Sequence, residues 1–354
     1  MLHNRINRKE LIEKLNAEPF TRKTVSFYRY IYIDDPAAYR DTLYLRWDGL
    51  NIFGRIYMAH EGINAQMSVP EHAIDAFVHD LHTDKQLKGV PLKWAVEDDG
   101  KSFYKLTLKV RAKIVADGLD DHTYDVTNVG THLDPLKFHE LAGQKGVQVV
   151  DMRNHYESEV GHFEGAFCPD ADTFREAIHI VTEKFKGQED KKILLYCTGG
   201  IRCEKASAYL RHEGFKDVNQ LYGGIIAYAD EVKQRNLPSR FTGKNFVFDQ
   251  RLGESINGKV IAHCHQCGNP CDTHTNCAND DCHLLFIQCS TCRETYEGCC
   301  SDDCKEINRL PEEEKKALRK ARHEKYAQSK IFRSRLRPYL IKQHNEKHYH
   351  VKST

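Results

Sequence analysis

Apolar and polar residues alternate along the first third of the chain in runs that predict short strands separated by two helices. Val25–Ile33 predicts a strand, and Asp35–Pro36 predicts the start of a helix that reaches to about Trp47. Further along, the pattern predicts strands at Ile52–Ala59, Asn64–Val69 and Phe103–Val110, a turn at His60–Ile63, and a helix from Pro70 through His82. This order is the split βαβ arrangement, in which two helices cover one face of an antiparallel sheet.

The middle of the chain has a continuous apolar run in place of alternation. Ile193–Tyr196 is apolar at every position, which predicts a strand covered on both faces in a parallel sheet. Ala206, Tyr209 and Leu210 then fall on one face of a helix that Gly214 would end. We therefore expect an α/β domain in this part of the chain.

The loop between this strand and this helix is the candidate active site. Gly199 and Gly200 allow backbone amides to turn inward toward Cys197, beside a helix N-terminus that favours negative charge. With Arg202 nearby, the thiol is expected to ionise easily and to act as a nucleophile or a persulfide carrier. Cys197 and Arg202 are the candidate catalytic residues, and the rest of the candidate loop is Thr198, Gly199, Gly200, Ile201 and Cys203.

Each cysteine of this loop has a second interpretation. Cys197 could be a small buried hydrophobe that closes the strand, which is how most free cysteines are used. A core cysteine, however, requires neither two consecutive glycines nor an arginine within five residues. Cys203 is expected to pack at the start of the helix, and the alternative is that it resolves an oxidised or persulfidated Cys197.

The loop resembles the active-site loop of rhodanese-like domains, because C-T-G-G-I-R fits their C-x-x-G-x-R pattern. V-V-D-M-R-N at 149–154, Y-E at 156–157 and G-H-F-E-G-A at 161–166 resemble the opening of that fold, and L-Y-G-G-I at 221–225 resembles its closing segment. The resemblance covers roughly residues 120–240. Asp151 and Arg153 are supporting site residues, expected to form an ion pair that braces the loop.

Length and composition restrict the class of protein. At 354 residues with a net charge of +1, the chain exceeds one typical domain and predicts two to four. The sequence has no long apolar segment that would span a membrane, and Met1–Arg5 lacks the apolar core of a signal peptide. We therefore expect a cytoplasmic protein without a membrane partner.

Ten of the thirteen cysteines lie between residues 264 and 304, which in a reducing compartment indicates metal binding. They form pairs at ligand spacing: Cys264 with Cys267, Cys277 with Cys282, Cys289 with Cys292, and Cys299 or Cys300 with Cys304. Four pairs predict two tetrahedral structural zinc sites. In an interleaved arrangement, the first and third pairs would bind one ion, and the second and fourth pairs would bind the other. Sequential pairing, iron–sulfur ligation and a disulfide framework are the alternatives.

Basic residues are concentrated in the tail. Residues 305–354 carry 15 Lys or Arg against 6 Asp or Glu, whereas the preceding part carries 37 against 45. Pro311, followed by three glutamates, predicts a helix start. Aromatic residues interleave with a basic run, which is typical of a nucleic-acid contact, and a solvated or disordered tail is the alternative. The candidate RNA-binding residues of this run are Arg333, Arg335 and Arg337.

Two further groups of candidates lie in the N-terminal part. Lys109, Arg111 and Lys113 alternate on one face where the last predicted strand ends, which favours phosphate contacts; a solvated strand edge explains them almost as well. The segment E-G-I-N at 61–64, with His60 before it, is as consistent with hairpin stabilisation as with a substrate-facing role.

Motifs along most of the chain resemble one family, the oxygen-dependent tRNA uridine 5-hydroxylases, also known as the rhodanese domain-containing UPF0176 family. They are E-G-I-N, C-T-G-G-I-R-C-E-K-A-S at 197–207, F-V-F-D-Q-R at 246–251 and the cysteine-rich end. One departure is A-H-E-G-I-N-A-Q at 59–66, where relatives often have S-x-E-G-I-N-G-T. The resemblance implies hydroxylation of wobble uridine 34 of tRNA to 5-hydroxyuridine, with molecular oxygen as co-substrate and the anticodon loop as partner.

The expected architecture is a multidomain α/β protein in four parts. Residues 1–118 are expected to form a ferredoxin-like, or acylphosphatase-like, α+β domain, and residues 119–240 a rhodanese-like catalytic domain with a parallel sheet. Residues 241–304 are expected to form the cysteine-rich zinc-binding module, and residues 305–354 a basic helical tail.

The sequence contains no 2-His-1-carboxylate set, flavin fingerprint or haem motif, so no organic cofactor is expected. Our hypothesis is that the Cys197 thiolate adds to C6 of uracil, after which an electron-rich C5 reacts with oxygen. Loop amides and Arg202 would stabilise the charge on the ring carbonyl. The alternatives are a rhodanese-type sulfurtransferase that carries a Cys197 persulfide, and a non-catalytic tRNA-binding protein.

Overall fold

The computed structural model of the chain describes residues 7–282 and 284–318. These residues divide into two compact units. The first comprises residues 7–158, 162–241 and 245–256, and the second comprises residues 159–161, 242–244, 257–282 and 284–318. Within these residues, no helix is both long and apolar enough to cross a bilayer.

The first unit begins with a five-stranded sheet and its helices. Their bounds are α1 (Arg8–Asn16), β1 (Arg22–Tyr30), α2 (Pro36–Gly49), β2 (Phe53–Ala59), β3 (Gly62–Pro70), a 3₁₀ turn (Glu71–Ala73), α3 (Ile74–Thr83), β4 (Lys93–Trp94) and β5 (Leu106–Val110). The Asp35 carboxylate accepts hydrogen bonds from two amides of the first turn and caps α2, as predicted. Trp47 of α2 and Phe77 of α3 are fully buried in the apolar core that this sheet shares with its helices.

The strand order is β4-β1-β3-β2-β5. β1 and β2 are both antiparallel to β3, as the split βαβ pattern predicts. The expectation of an antiparallel sheet fails at one strand: β5 lies at the edge beyond β2 and runs parallel to it, whereas β4 pairs with β1 in the antiparallel sense. β4 was missed because two residues are too few to produce an alternating pattern.

Two element boundaries also differ from the expectation. The turn between β2 and β3 is only two residues long, because β3 already begins at Gly62. Pro70 ends β3 instead of opening a helix, and α3 begins four residues later, after the 3₁₀ turn. The predicted helix and strands are otherwise present in the predicted order.

The remainder of the first unit contains a parallel sheet. Its strands β6 (Thr131–Leu133), β10 (Asp217–Leu221), β9 (Lys192–Tyr196) and β7 (Gln148–Asp151) lie side by side in that order. The other elements between residues 131 and 255 are α4 (Pro135–Ala142), α5 (His155–Ser158), β8 (Gly161–Phe163), α6 (Phe174–Phe185), α7 (Ile201–His212), α8 (Gly224–Gln234), β11 (Phe241–Asn245) and β12 (Glu254–Ser255); β8 and β11 include residues of the second unit.

Strand β9 is buried on both faces, as its continuous apolar sequence predicts. Ile193 and Leu195 belong to a cluster that contains apolar residues of α6 and α7. Leu194 and Tyr196 belong to a second cluster that contains apolar residues of α4 and α8. Helices on both faces of a parallel sheet form an α/β architecture, and β9 therefore ends in a covered interior at the candidate loop.

The second unit contains a short antiparallel hairpin and two helices: β13 (His274–Asn276), β14 (Leu285–Ile287), α9 (Ser290–Thr295) and α10 (Asp302–Arg309). Its apolar cluster is small, and Leu284 and Phe286 share that cluster with cysteines. Residues 312–318 are helical, in agreement with the helix start predicted at Pro311. Arg333, Arg335 and Arg337 lie outside the described residues.

Candidate active site

The candidate nucleophile lies where the central strand ends. Cys197 directly follows β9, and its side chain is fully buried. Gly200, which precedes α7, has a φ of +98°, a left-handed conformation that glycine adopts at little cost. This turn brings the Gly200 amide to 3.1 Å from the Cys197 Sγ. The inward amide that the two consecutive glycines predict is therefore present.

The surroundings of Cys197 favour the thiolate. Burial raises the pKa of this thiol, but a hydrogen bond from Cys203, the charge of Arg202, and the amides of Arg202 and Gly200 lower it to about 6. The pKa of Cys203 lies well above its ordinary value, because Cys203 is buried next to the Cys197 charge. At neutral pH, Cys197 is thus the ionised sulfur and Cys203 the protonated partner.

The start of α8 holds the loop from the other side. The backbone carbonyls of Cys197 and Thr198 accept hydrogen bonds from the first amides of α8, at 3.0 and 3.3 Å. Gly224 has a φ of +69°, and a β-carbon at this position would lie only 2.5–2.7 Å from backbone atoms of the loop. Only glycine allows this close approach, which explains the second glycine of the L-Y-G-G motif.

The guanidinium of Arg202 is hydrogen-bonded to other side chains of the protein. Its two terminal nitrogens donate hydrogen bonds to the Glu157 carboxylate at 2.5 and 2.8 Å, and one of them also donates to the Thr198 hydroxyl at 3.2 Å. Both side chains of the ion pair are nearly or fully buried. Arg202 therefore acts on Cys197 through its charge. Glu157 was not selected from the sequence, although it stands in the Y-E segment of the opening motif.

Asp151 and Arg153 form the ion pair expected of them. The Arg153 Nε lies 2.9 Å from one Asp151 oxygen, and the Arg153 Nη2 lies 2.6 Å from the other. Both side chains are completely buried at the end of β7. The charge of Asp151 raises the pKa of Arg153 above its ordinary value despite burial. This pair has a structural role beside the loop.

The N-terminal sheet supplies residues to the site that sequence reasoning missed. The Tyr28 hydroxyl, on β1, donates a 3.0 Å hydrogen bond to Glu204 in the first turn of α7. Glu204 also bonds His132 at 2.9 Å and Gln220 at 3.1 Å. Burial raises the pKa of Glu204, but these hydrogen bonds and the His132 charge lower it overall. A β-carbon on Gly200 would lie 2.9 Å from the Tyr28 hydroxyl, so Tyr28 packs directly on the loop.

Lys93 of β4 approaches the same loop. Its Nζ lies 4.5 Å from the centre of the Tyr28 ring. β-carbons on Gly199 and Gly223 would each lie 3.9 Å from a carbon of its side chain. Burial lowers the pKa of Lys93 to about 8, although the charges of Cys197 and Glu204 act in the opposite direction. Because β4 is only two residues long, the sequence pattern did not predict this strand.

Models of known protein families match three segments of the chain. Residues 22–114 match the UPF0176 acylphosphatase like domain, residues 134–231 the rhodanese-like domain, and residues 242–305 the rhodanase C-terminal family. A Leptospira interrogans protein named tRNA uridine(34) hydroxylase is 53% identical over 96% of this chain and 92% of its own length. The chain belongs to the tRNA uridine(34) hydroxylase family. Relatives of the same name from Cronobacter sakazakii and Escherichia coli K12 are both 54% identical, over 91% and 82% of this chain and 93% and 84% of their own lengths.

The family motif E-G-I-N has a structural role in this member of the tRNA uridine(34) hydroxylase family. The Glu61 carboxylate accepts a 2.7 Å hydrogen bond from the Ile114 amide and lies 2.7 Å from the Lys205 ammonium of α7. Asn64 donates to the Ile114 carbonyl at 3.3 Å, and His60 bonds the Ile33 carbonyl at 2.9 Å. Of the two roles considered from the sequence, these contacts support stabilisation.

The basic residues near the end of β5 are not equivalent. Lys109 and Arg111 are exposed. The Lys113 ammonium instead contacts the carboxylates of Asp117 at 2.7 Å and Asp121 at 2.8 Å, so its charge is neutralised within the protein. The expected alternation on one strand face also stops at Val110, where β5 ends. Lys109 and Arg111 are thus the accessible members of the predicted group.

In the second unit, eight of the nine proposed metal-binding cysteines form two groups in which all sulfurs lie within 4.8 Å of one another. The groups are Cys264, Cys267, Cys289 and Cys292, and Cys277, Cys282, Cys300 and Cys304. The interleaved pairing is therefore the one present. The Sγ atoms of Cys267 and Cys289 are 3.6 Å apart. Two thiolate sulfurs that each lie about 2.3 Å from a tetrahedral ion are expected to be roughly 3.8 Å apart, which is close to this distance. Both groups therefore fit a four-coordinate metal.

Cys299 lies in neither group. It is fully buried beside Leu284 and Phe286, and its thiol points toward the Glu297 carbonyl at 3.9 Å. Adjacent residues of a chain direct their side chains differently, so only one cysteine of the 299–300 pair reaches the sulfur cluster. All thirteen cysteines are free, which disagrees with the disulfide framework considered as an alternative.

Proposed function

We propose that this chain hydroxylates C5 of uridine at wobble position 34 of tRNA, giving 5-hydroxyuridine, with molecular oxygen as co-substrate. It is then an oxidoreductase whose key residue is Cys197. The observation that carries the proposal is the buried Cys197, with a pKa of about 6, in a chain 53% identical to a relative named tRNA uridine(34) hydroxylase. A thiolate in this position is a nucleophile at neutral pH.

In the proposed reaction, the Cys197 sulfur adds to C6 of uracil. The S–C6 bond forms, the C5=C6 π bond breaks, and its electron pair is delocalised over C5 and the C4 carbonyl oxygen. C5 then reacts with oxygen. One oxygen atom remains on C5, and the other leaves as water after two electrons and two protons arrive from a reductant. Loss of the C5 proton and departure of Cys197 from C6 restore the aromatic ring.

The role of Arg202 in this scheme differs from the one expected from the sequence. Its terminal nitrogens are engaged with Glu157 and Thr198, so it supports the reaction by stabilising the Cys197 thiolate and by fixing the loop. Asp151 and Arg153 brace the preceding strand. We assign the loop residues Thr198, Gly199, Gly200, Ile201 and Cys203 to shaping the surroundings of the sulfur.

Unpaired bases of the anticodon loop leave their stack at low cost, which allows a base to enter an enclosed pocket. Tyr222 directly precedes Gly223 at the loop and is 47% exposed, so its ring offers a stacking surface for a neighbouring base. Lys109 and Arg111 are accessible to tRNA phosphates, and we retain Arg333, Arg335 and Arg337 as contacts of the tail. Since the proposed substrate is tRNA, we also propose a cytoplasmic location.

We also propose that each four-cysteine group holds one structural zinc ion. Thiolates in a tetrahedral set are typical zinc ligands, and the small apolar cluster of this region supports a stabilising role for the ions. The four-part division into residues 1–118, 119–240, 241–304 and 305–354 remains our proposed domain assignment.

The test is to digest tRNA from cells that lack this protein and to quantify 5-hydroxyuridine and its derivatives by mass spectrometry. The cells are complemented with wild type, Cys197→Ala, or the control Cys168→Ala, whose cysteine lies outside the loop. Wild type and the control should restore the nucleoside, and Cys197→Ala should not. Restoration by Cys197→Ala would refute the role of Cys197. Unchanged 5-hydroxyuridine in every strain would favour the sulfurtransferase alternative.

A further inference from the structure

Most cations near the candidate site are neutralised by a carboxylate. Arg202 is paired with Glu157, and Lys205 lies 2.7 Å from Glu61. Lys93 is different: within residues 7–282 and 284–318, its ammonium forms no hydrogen bond or ion pair, although the side chain is half-buried. A partly desolvated charge without a counter-ion is costly, and such costs are concentrated at functional sites.

Lys93 lies beside the loop that contains Cys197. Its aliphatic stem lies along Gly199 and Gly223, the glycines that follow Cys197 and precede α8. The face of the Tyr28 ring supports its ammonium from the side of the N-terminal sheet, with 4.5 Å between Nζ and the ring centre. The unpaired charge thus lies beside the loop that carries the Cys197 sulfur.

We propose that Lys93 is a catalytic residue whose ammonium contacts the C4 carbonyl oxygen of the reacting uracil and stabilises its negative charge when Cys197 adds to C6. This inference rests on the proposed function and deepens it. In that step the S–C6 bond forms and the C5=C6 π bond breaks, while the electron pair moves toward the C4 oxygen. No proton or leaving group moves, and the ammonium balances the new charge.

The surroundings favour this role. Arg202 is less suited to it, because both terminal nitrogens already donate to Glu157 and one of them also donates to Thr198. A desolvated cation interacts more strongly with a developing oxyanion than a hydrated one does. Since the pKa of Lys93 is lowered to about 8, its ammonium is the major form at pH 7. The N-terminal sheet thus contributes a residue, Lys93 of β4, to the proposed site.

The experiment compares wild type, Lys93→Met and Lys93→Arg in single-turnover hydroxylation of purified tRNA. Methionine keeps an unbranched stem against the two glycines but removes the charge, whereas arginine keeps the charge. Lys23→Gln is the control, because Lys23 is an exposed lysine of β1 in the same sheet. Affinity for tRNA and thermal unfolding are measured for each protein.

Lys93→Met is expected to lower the rate at saturating tRNA by about 100-fold, with affinity for tRNA within about threefold of wild type. Its unfolding temperature should stay equal or rise, because an unpaired buried charge is lost. If the role of Lys93 were only structural, Lys93→Met would instead lower the unfolding temperature. Lys23→Gln should match wild type, and Lys93→Arg should recover most of the lost rate.

The pH profile provides a second readout. The titratable groups that face Lys93 are Cys197 on the loop, Glu204 on α7 and Tyr28 on β1. Wild-type rate should rise through about pH 6 with ionisation of Cys197 and fall above about pH 8 with deprotonation of Lys93. Arginine does not deprotonate in this range, so Lys93→Arg should lose the alkaline decline.

Three results would overturn the inference while leaving the proposed function intact. They are a Lys93→Met rate within about threefold of wild type, a loss of tRNA affinity with full rate at saturation, and an unchanged alkaline decline in Lys93→Arg. The second result would make Lys93 a phosphate contact. Absence of hydroxylation by wild type itself would instead refute the proposed function and this inference with it.

Discussion

Replacement of Gly224 by alanine tests whether the start of α8 determines the shape of the Cys197 loop. The new β-carbon would lie 2.5 Å from the Thr198 carbonyl oxygen, 2.6 Å from that of Cys197 and 2.7 Å from the Gly199 Cα. All three are backbone atoms, so the overlap cannot be relieved by a side-chain rotation. Either the loop or the first turn of α8 must move.

Gly165→Ala is a matched control for this change. Gly165 has a φ of +71°, nearly the same as the +69° of Gly224, but nothing lies within 4 Å of a β-carbon there. The left-handed conformation costs an L-residue about 1–2 kcal/mol at either position. Overpacking adds about 1–3 kcal/mol at Gly224 alone. The difference in free energy of unfolding between the two variants therefore measures the contact with the loop.

The assay combines thermal unfolding with alkylation of Cys197 and with tRNA hydroxylation. Because 1 kcal/mol corresponds to about 2–4 °C for domains of 150–250 residues, Gly224→Ala should unfold roughly 2–12 °C below the control. A displaced loop should also reduce hydroxylation by about 100-fold, since misplacement by about 1 Å has that effect on catalysis. Equal unfolding temperatures and equal alkylation rates for the two variants would refute the reasoning.

Three further predictions concern other parts of the molecule. Alkylation of the Cys197 thiol should have its midpoint near pH 6, below the usual range of a cysteine, and Cys203→Ala should raise that midpoint by removing a hydrogen bond to the sulfur. Cys300→Ser should release one bound metal ion per chain by elemental mass spectrometry, whereas its neighbour variant Cys299→Ser should retain both; equal losses would contradict the assignment. Glu157→Gln should lower the free energy of unfolding by about 3–5 kcal/mol, because it leaves a buried guanidinium without a counter-charge. Asp190→Asn, which removes an exposed ion pair, serves as its comparison in chemical denaturation and should leave stability unchanged.

Local features of the sequence were sufficient for much of the fold and for the conformation of the loop around Cys197. The apolar run at Ile193–Tyr196 predicted a strand buried on both faces, and β9 is such a strand. The glycines after Cys197 predicted inward amides, and the Gly200 amide contacts the sulfur. These predictions succeeded because a strand, a tight turn and a helix start depend on neighbouring residues.

Other predictions failed or stopped short because they depended on residues distant in the chain. β4 was missed, and the antiparallel arrangement expected of the whole sheet fails at β5, which runs parallel to β2, since strand pairing is not encoded in an alternating pattern. Arg202 was recognised, but its partner Glu157, 45 residues earlier in the chain, was not. Lys113 was expected to be accessible, yet carboxylates of the following segment bind it.

The sequence by itself determined the chemistry of the candidate site, because a cysteine, two glycines and a helix start within one short segment create the thiolate environment locally. It also determined the cysteine pairs, whose spacing is a property of the chain. Only the tertiary structure decided which pairs combine into one group. It also decided that Cys300, and not Cys299, belongs to a group. It alone brought Lys93 and Tyr28 to the loop, since Tyr28 and its partner Glu204 are 176 residues apart. Contacts over such separations follow from the packing of whole elements, which no local pattern specifies.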